Sequence, residues 1–441
     1  MLDRLPDELQ AAWRKVGEDY AWSSRLRLAV SGGPDSLAML IGFAALRDAK
    51  AGPEILEVVT VDHGLRPESA DETRMVAEVC KELDVDCRIE TLRPPEDLKN
   101  KQAWARFARY KALVDEYERG DPPILTAHTA DDQAETFLMR AARGTGSEGL
   151  AGIRSPVKIG SGRFYRPFLN WRRHDLHAIL IDAPWFPVHD PSNDDESYTR
   201  IRFRRWLADA PTPDSTRSLV HGYSETARIA QLESAALEHY AEELVTAIGG
   251  ADRGFVHGHQ TFLNVPRAVQ ARFLRKIFVL VARPDNAQVK SFNGSFDLAR
   301  MVKLADQMAK EPKGRWVGGG AVLDWHHDGL DDARQTQITA FAEAGRTKFP
   351  QVEVAAGETA TWDGRFEVAN TSSQTIIVRA WTSTDPLPPH GEEMPSKAVL
   401  ASLPVAVQGD AVVAWAGPPP RQSPHRSDRP TLQAVRRQLL S

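Results

Sequence analysis

Apolar positions in the first 145 residues alternate between short runs rich in β-branched residues and longer stretches with apolar residues three or four positions apart. The short runs have the pattern of buried strands, and the longer stretches have that of amphipathic helices. This alternation predicts a doubly wound α/β fold, a parallel sheet with crossover helices. The predicted elements, in chain order, are Leu26–Ser31, Asp35–Arg47, Ile55–Val61, Ser69–Leu83, Asp86–Leu92, Lys101–Glu118, Ile124–His128 and Asp131–Ala142.

Beyond residue 210 the hydrophobic pattern changes twice. Helical periodicity continues to about residue 310 and ends in a hairpin-like stretch, Trp316–Trp325; from Val352 onward, β-type runs alternate with Pro- and Gly-rich breaks. A basic segment over 421–437 fits either RNA contact or disorder. The predicted domains are an α/β catalytic domain over 1–210, a helical domain over 211–335 and a small β-rich C-terminal domain over 345–441.

Composition restricts the class of protein. The chain of 441 residues is 42% apolar and 26% charged, which is typical of a globular protein of two or three domains. Its apolar runs are far shorter than the roughly twenty residues that cross a bilayer, and its start lacks the pattern of a signal peptide. Two cysteines, Cys80 and Cys87, fit a reducing compartment and form no Cys-x-x-Cys motif. We therefore expect a cytoplasmic protein.

Charge is distributed unevenly along the chain. The net charge is −5, yet the segment from Arg140 to Arg205 contains twelve Lys/Arg and seven Asp/Glu. A local basic surface can bind phosphates while the rest of the molecule stays acidic. The alternative is a solvated face without a partner.

The loop Ser31–Ser36, with the sequence Ser-Gly-Gly-Pro-Asp-Ser, connects the first predicted strand to the first helix. Gly32 and Gly33 allow a sharp turn and bring backbone N–H groups close to phosphate oxygens, and the helix start adds a positive dipole end. Phosphate would repel Asp35 unless a divalent cation lay between them, so Asp35 is a candidate Mg²⁺ ligand. The alternative is a capped helix whose glycines serve only a turn.

Two familiar phosphate-binding motifs do not fit this loop. No Lys-Ser or Lys-Thr follows its second glycine, and the third glycine and distal acid of a dinucleotide fingerprint are missing. The loop instead resembles the Ser-Gly-Gly-x-Asp-Ser signature of the PP-loop ATP pyrophosphatases. That resemblance implies an adenine nucleotide alpha hydrolase-like sheet and an enzyme that adenylates an oxygen of its substrate and releases pyrophosphate.

Polar residues follow two further predicted strands, at the sheet edge where doubly wound folds bind ligands. Asp62 and His63 could contact the nucleotide or simply form a turn. His128 ends the fourth strand, and Asp132 and Glu135 share one face of the next helix. The two carboxylates suit a cationic amine or a metal; the alternative is acids favoured by the helix dipole.

Arginines on the preceding helix offer a site for an anion. Arg106 and Tyr110 lie on one helical face, with Arg109 one step round. The pattern fits an arginine that points into an anionic site, and equally one that faces solvent.

Seven motifs together resemble the tRNA(Ile)-lysidine synthases, because they occur in the order found in that family. One departure is visible: the family commonly shows Arg-Asn before an Ile/Val-Arg pair, whereas Arg200 is followed directly by Ile201 and Arg202. The motifs are Ser31–Ser36, Val61–Pro67, Ala105–Tyr110, His128–Thr136, Arg143–Ile153, Arg166–Leu169 and Asp190–Asn193.

The resemblance implies a two-step ligation on a tRNA(Ile) with a CAU anticodon. ATP, with Mg²⁺, activates the C2 oxygen of the wobble cytidine as an adenylate, and L-lysine then displaces AMP to give lysidine. The residues that fit ATP binding are Ser31, Gly32, Gly33, Pro34, Asp35, Ser36, Asp62 and His63. Catalysis is expected of Asp35, Arg106, Asp132 and Glu135, lysine binding of His128, Asp132 and Glu135, and tRNA binding of Arg109, Arg143, Arg200, Arg202, Arg204 and Arg205.

Other functions stay open at this point. The nearest are another PP-loop enzyme that adenylates a tRNA or nucleotide, and an inactive RNA-binding relative. A homodimer is possible, and the sequence determines neither the oligomeric state nor the residues that read the cytidine and the tRNA identity elements. The role of the β-rich domain and its basic tail is equally open.

Overall fold

The chain forms two compact units, Met1–Ser234 and Ala235–Leu440. The three predicted domain boundaries stay a prediction. The motif Asp190–Asn193 and most of the basic segment 421–437 lie outside the described residues. The computed structural model describes residues 2–64, 68–95, 101–114, 122–188, 199–248, 255–260, 262–282, 297–327, 336–343, 349–363, 365–387, 396–415 and 431–434.

The first unit has an α/β arrangement that closely follows the predicted elements. Strands β1 to β6 are Arg25–Ala29, Ile55–Asp62, Asp86–Thr91, Ile124–Leu125, Val157–Ile159 and Gly162–Tyr165. Helices α1 to α8 are Asp7–Tyr20, Pro34–Asp48, Ser69–Glu82, Lys101–Val114, Ala130–Ala141, Ser147–Leu150, Arg173–His177 and Thr199–Ala208, with 3-10 turns at Leu2–Arg4 and Ala178–Leu180. Helix α9, Pro213–Ile248, begins in this unit and ends in the second.

The six strands form one sheet in the order β3-β2-β1-β4-β6-β5. All neighbours are parallel except β5 and β6, which form an antiparallel hairpin at one edge. The chain winds outward from β1 to β3 and then returns to the other side of β1 with β4. This confirms the predicted doubly wound sheet and creates a crevice at the carboxyl ends of β1 and β4, where the strand order reverses.

An aromatic cluster anchors α2 against α1, which fixes the helix that follows the Ser31–Ser36 loop. Trp13 is fully buried, and its ring lies edge-on to Phe43 and Phe168 at centroid distances of 6.3 and 5.2 Å. A Cβ atom on Gly42 would overlap the Trp13 ring. The helix therefore packs close to α1 only because position 42 carries no side chain.

The second unit combines helices with small antiparallel sheets. Helices α10 to α12 are Arg267–Val281, Leu298–Lys310 and Lys397–Leu400, with a 3-10 turn at Phe262–Asn264. Strands β7 to β17 are Phe255–Gln260, Lys313–Gly318, Ala321–His327, Thr336–Ala342, Val352–Val354, Thr359–Trp362, Phe366–Ala369, Ile376–Ala380, Pro404–Gln408, Ala411–Trp415 and Thr431–Ala434.

These strands form three sheets, β7-β10-β9-β8, β11-β14-β15-β16 and β12-β13-β17. The predicted hairpin is β8 and β9, which pair antiparallel around Gly319 and Gly320, both with positive φ. The helical region therefore also contains a sheet, and the β-rich C-terminal part is confirmed. Within the described ranges, the helices are too short or too polar to cross a membrane.

Candidate active site

The loop Ser31–Ser36 turns sharply at the carboxyl end of β1 and leads into α2. Gly32 has a φ of +83°, and a Cβ atom there would crowd Met75 and Val188. The Ser36 hydroxyl donates to the Gly33 carbonyl oxygen at 2.9 Å and accepts from the Ser31 N–H at 3.2 Å. The loop is thus held in one shape at the positive end of a helix.

The carboxylate of Asp35, in the first turn of α2, contacts two basic side chains of α7. His177 Nε2 lies 2.6 Å from one carboxylate oxygen, and Arg173 Nε lies 3.4 Å from the other. No cluster of three or more His, Cys, Asp or Glu side chains suited to a metal occurs among the residues described. Asp35 would therefore need non-protein oxygens to complete a coordination shell.

Asp132 and Glu135 on α5 are buried, with Glu135 only 1% exposed. One oxygen of Asp132 accepts hydrogen bonds from the Thr129 N–H at 2.8 Å and its hydroxyl at 3.0 Å, so the carboxylate also caps the helix. Buried carboxylates require partners for their remaining oxygens.

Three arginines supply those partners. Arg173 and Arg200 donate to the second Asp132 oxygen at 3.0 and 2.8 Å. Arg200 and Arg204 donate to the two Glu135 oxygens at 2.7 and 2.8 Å. Every oxygen of the two carboxylates therefore already accepts a hydrogen bond from a protein donor.

The arginines and carboxylates compensate each other in charge. Burial alone would raise the pKa of Asp132, but Arg173 and Arg200 outweigh it and hold the pKa well below its usual range. Burial likewise opposes the charge of Arg173, whose pKa is nevertheless raised by the surrounding carboxylates. We refer to this arrangement as the arginine–carboxylate cluster: Asp35, Asp131, Asp132, Glu135, Arg172, Arg173, Arg200 and Arg204.

His128 lies beside this cluster at the end of the β4 segment. Its Nδ1 is 2.9 Å from the Thr126 hydroxyl. Burial, assisted by nearby arginines and opposed by Asp132, lowers the pKa of His128 to about 4. The imidazole is therefore neutral at pH 7.

Arg106 and Arg166 meet on Tyr110 of α4. The Arg106 guanidinium lies over the Tyr110 ring, 5.1 Å from its centroid, and Tyr110 also interacts electrostatically with Arg166. Arg166 is buried, and its Nε has no hydrogen-bond partner in the part of the chain that the structure describes. The positive charges of both guanidiniums help to lower the pKa of His128, which lies beside the cluster.

Comparison with known proteins assigns the chain to a family. A family model described as a PP-loop domain matches residues 6–210. A tRNA(Ile)-lysidine synthase from Zymomonas mobilis is 38% identical over 304 residues, which cover 68% of this chain and 86% of that protein. The chain belongs to the tRNA(Ile)-lysidine synthase family.

Further similarities span much of the chain. A tRNA(Ile)-lysidine synthase from Novosphingobium aromaticivorans is 41% identical over 58% of this chain and 76% of that protein. Among solved structures, the U34-tRNA thiolase NcsA from Methanococcus maripaludis is 18% identical, with a TM-score of 0.41, over 50% of this chain and 78% of that chain.

The residues expected to act in a lysidine synthase fall into two groups. The structure brings the Ser31–Ser36 loop, His128, Asp132 and Glu135 into one connected region, together with two arginines expected to bind tRNA, Arg200 and Arg204. It leaves other expected tRNA-binding arginines exposed outside the cluster: Arg109, Arg143, Arg202 and Arg205.

Asp62 and His63 lie at the end of β2, within the turn that follows the strand. One carboxylate oxygen of Asp62 accepts from the Gly64 N–H at 2.9 Å and also from the Ser69 hydroxyl. Asp62 therefore has a structural role in this turn, and its expected contact with ATP stays a prediction.

Arg173 and His177 belong to this candidate site, and the sequence did not single them out. They stand four residues apart on α7, so both face the same neighbour. The only sequence signal was the Arg172–Arg173 pair inside the basic segment, where it was one of several equivalent candidates. What distinguishes Arg173 from the other arginines of the basic segment is its contact with both Asp35 and Glu135, which lie far from it in sequence.

Proposed function

We propose that this chain attaches lysine to C2 of the wobble cytidine in a tRNA(Ile) with a CAU anticodon, which changes its codon reading to AUA. The observation that carries the proposal is the link from the phosphate loop through Asp35 and Arg173 to the buried pair Asp132 and Glu135. In a chain of this family, that link supports an ATP-binding role for the loop and an amine-binding role for the carboxylate pair.

In the first step, the cytidine C2 oxygen attacks the α-phosphate of ATP, and the bond to the β-phosphate breaks to release pyrophosphate. The Ser31–Ser36 loop would hold the phosphates with N–H groups and hydroxyls, as helix N-termini commonly do. Asp35 fits Mg²⁺ because this ion is commonly held by one or two carboxylates together with substrate phosphates. The ion would supply charge neutralisation for the departing pyrophosphate.

In the second step, the lysine side-chain amine attacks C2, the C2–O bond breaks and AMP leaves. Only the neutral amine is nucleophilic, so a group near Asp132 and Glu135 must accept its proton. Arg106 is the candidate for stabilising the anionic adenylate. The neutral imidazole of His128 would add no positive charge that repels an incoming ammonium group.

Lysine can enter this pocket only by replacing a guanidinium, since the oxygens of Asp132 and Glu135 are already occupied. A displaced Arg200 or Arg204 then needs another acceptor, and phosphate oxygens are the best match for a guanidinium fork. ATP and tRNA both provide them. We therefore expect lysine binding to be coupled to binding of the polyanionic substrates; homodimer formation stays a separate prediction.

The test combines the purified protein with unmodified CAU-anticodon tRNA, ATP, Mg²⁺ and labelled lysine. The proposal predicts pyrophosphate release and labelled tRNA in equal amounts. The matched control is the same tRNA with adenosine at the wobble position, because adenine has no oxygen on C2.

Two outcomes would redirect the assignment. Pyrophosphate release without transfer of lysine would indicate another adenylating enzyme of the PP-loop type. Loss of both products, with tRNA binding retained, would indicate an inactive RNA-binding relative.

A further inference from the structure

Helix α8 has two chemically different faces. Arg200 and Arg204 contact the carboxylates of the arginine–carboxylate cluster. Arg202 and Trp206, also four residues apart, lie on the opposite face and are exposed, as is Arg205. One helix therefore connects the candidate active site to an aromatic and cationic surface.

Trp206 is the outermost ring of a row of three aromatic side chains from three helices. Its side chain is 50% exposed, and its ring centroid lies 6.5 Å from that of Tyr223 on α9. Tyr223 stacks on Phe137 of α5 with centroids 5.5 Å apart. Tyr223, the middle ring, packs against a small apolar core formed by Ala130, Ala134, Leu207 and Val220.

This support makes the exposed indole a fixed surface. A half-exposed tryptophan on packed helices can accept a flat partner on its open face without first being ordered, which keeps the entropic cost of binding low. Exposed Arg202 and Arg205 lie on the same helix, four residues and one residue before Trp206. The face therefore suits a ligand that combines a flat ring with negative charge.

We propose that this face binds an unpaired nucleotide of the tRNA, with its base stacked on Trp206 and its phosphates beside Arg202 and Arg205. Proteins recognise single-stranded RNA in this way, through aromatic stacking and basic side chains. The inference rests on the proposed function for the identity of the RNA. Phe137 follows Glu135 by two residues and Trp206 follows Arg204 by two, so the aromatic row and the cluster lie on opposite faces of the same two helices.

The test measures the affinity of the full-length protein for a fluorescent anticodon stem-loop with a CAU anticodon. Trp206→Ala is expected to weaken binding about tenfold or more, within the range for loss of a stacking aromatic, and Trp206→Phe to restore most of it. The matched control is Trp22→Ala. Trp22 is 59% exposed and packs on Tyr165, and its loss should leave the affinity for the stem-loop unchanged.

Abasic substitutions identify the stacked nucleotide. Removing the base that stacks on Trp206 should weaken binding to the wild-type protein but have no further effect on Trp206→Ala. Arg202→Gln should reduce the salt dependence of binding, whereas Trp206→Ala should leave that dependence as it is. Unchanged affinity in Trp206→Ala, or an equal loss on fully base-paired RNA, would overturn the proposal.

A second readout separates this inference from the proposed function. If the wild-type protein binds the stem-loop through Trp206 but never transfers lysine to tRNA, the stacking site stands and the proposed function fails. If lysine is transferred and Trp206→Ala changes only the oligomeric state, the face is a contact between copies of the chain and the stacking site is wrong.

Discussion

His177 Nε2 lies 2.6 Å from Asp35 Oδ1, so a residue of α7 contacts the carboxylate that follows the phosphate loop. Arg173, one helical turn earlier, contacts the other oxygen of the same carboxylate. Binding of a cation by Asp35 therefore competes with two existing protein contacts.

Asp35→Asn is expected to lower pyrophosphate release about a hundredfold or more, because the amide keeps the shape of the side chain but loses its charge. His177→Gln, in contrast, should lower the Mg²⁺ concentration needed for half-maximal release, since a competing contact is weakened. Pyrophosphate release over a Mg²⁺ titration measures both. A wild-type rate in Asp35→Asn at saturating Mg²⁺ would contradict the role given to Asp35.

Glu135→Gln should raise the KM for lysine about tenfold or more while pyrophosphate release continues. The reason is that a neutral amide loses the charge-assisted hydrogen bond to the lysine ammonium. Steady-state kinetics with lysine as the varied substrate provide the measurement, with Glu18→Gln as a control at an exposed carboxylate of α1. Unaltered lysine dependence in Glu135→Gln would show that lysine binds elsewhere.

Arg204→Gln should tighten lysine binding in the absence of tRNA. The substitution removes one cation from Glu135 and leaves the pocket more negative, and a partly exposed pair of this kind is worth about 1 kcal/mol, or roughly fivefold in affinity. Equilibrium dialysis with labelled lysine can detect this change. The control is Arg202→Gln on the outer face of α8. Weaker lysine binding in Arg204→Gln would contradict the proposal that lysine replaces a guanidinium on Glu135.

Stability should fall on acidification because His128 is held neutral. Its pKa is about 4 in the folded chain and near 6.5 in the unfolded chain, so the unfolded state binds more protons between these values. From pH 7.5 to 5.0 this lowers the free energy of unfolding by about 2 kcal/mol. Urea unfolding should show that the free energy of unfolding of His128→Gln changes less with pH over this range. The depressed pKa of Asp132 affects stability at lower pH.

Gly42→Ala should destabilise the first unit by about 1–3 kcal/mol, since the added methyl group overlaps the Trp13 ring. Gly222→Ala is the matched control, because a Cβ atom at Gly222 on α9 meets open space. That substitution should stabilise the helix by up to about 1 kcal/mol. Thermal unfolding of both variants provides the comparison, and equal melting temperatures would contradict the packing argument.

The sheet was predictable because its signal is local. Strand β2 is rich in β-branched residues, β1 and β3 alternate apolar with polar positions, and each crossover helix has its own periodicity, so element type and order follow from short windows. The predicted strand Ile124–His128 is shorter in the structure, where β4 is only Ile124–Leu125 and the Thr126 N–H makes one further bond to the Tyr165 carbonyl oxygen of β6. Strand ends depend on pairing that a single sequence does not display.

The arginine–carboxylate cluster was only partly predictable, because its charges are paired across the fold. The spacing of Asp132 and Glu135 indicated a shared face, and the loop motif indicated Asp35. Nothing local distinguished Arg173 from the other arginines of the basic segment, and Arg200 was expected to bind tRNA, not a buried carboxylate. The expected open acidic pocket is instead occupied by three guanidiniums, since buried carboxylates are stable only with partners.

The hydrogen bonds between Asp132 and Thr129 have a consequence for the evolution of this site. The Asp132 carboxylate caps α5 and also accepts hydrogen bonds from Arg173 and Arg200. A substitution of Asp132 that alters substrate preference would therefore also remove the capping bonds of the first turn. Glu135, one turn further along α5, takes no part in this capping box. Variation in what the pocket accepts should therefore accumulate at Glu135 and at the arginines, while Asp132 is retained because folding requires it in addition to substrate binding.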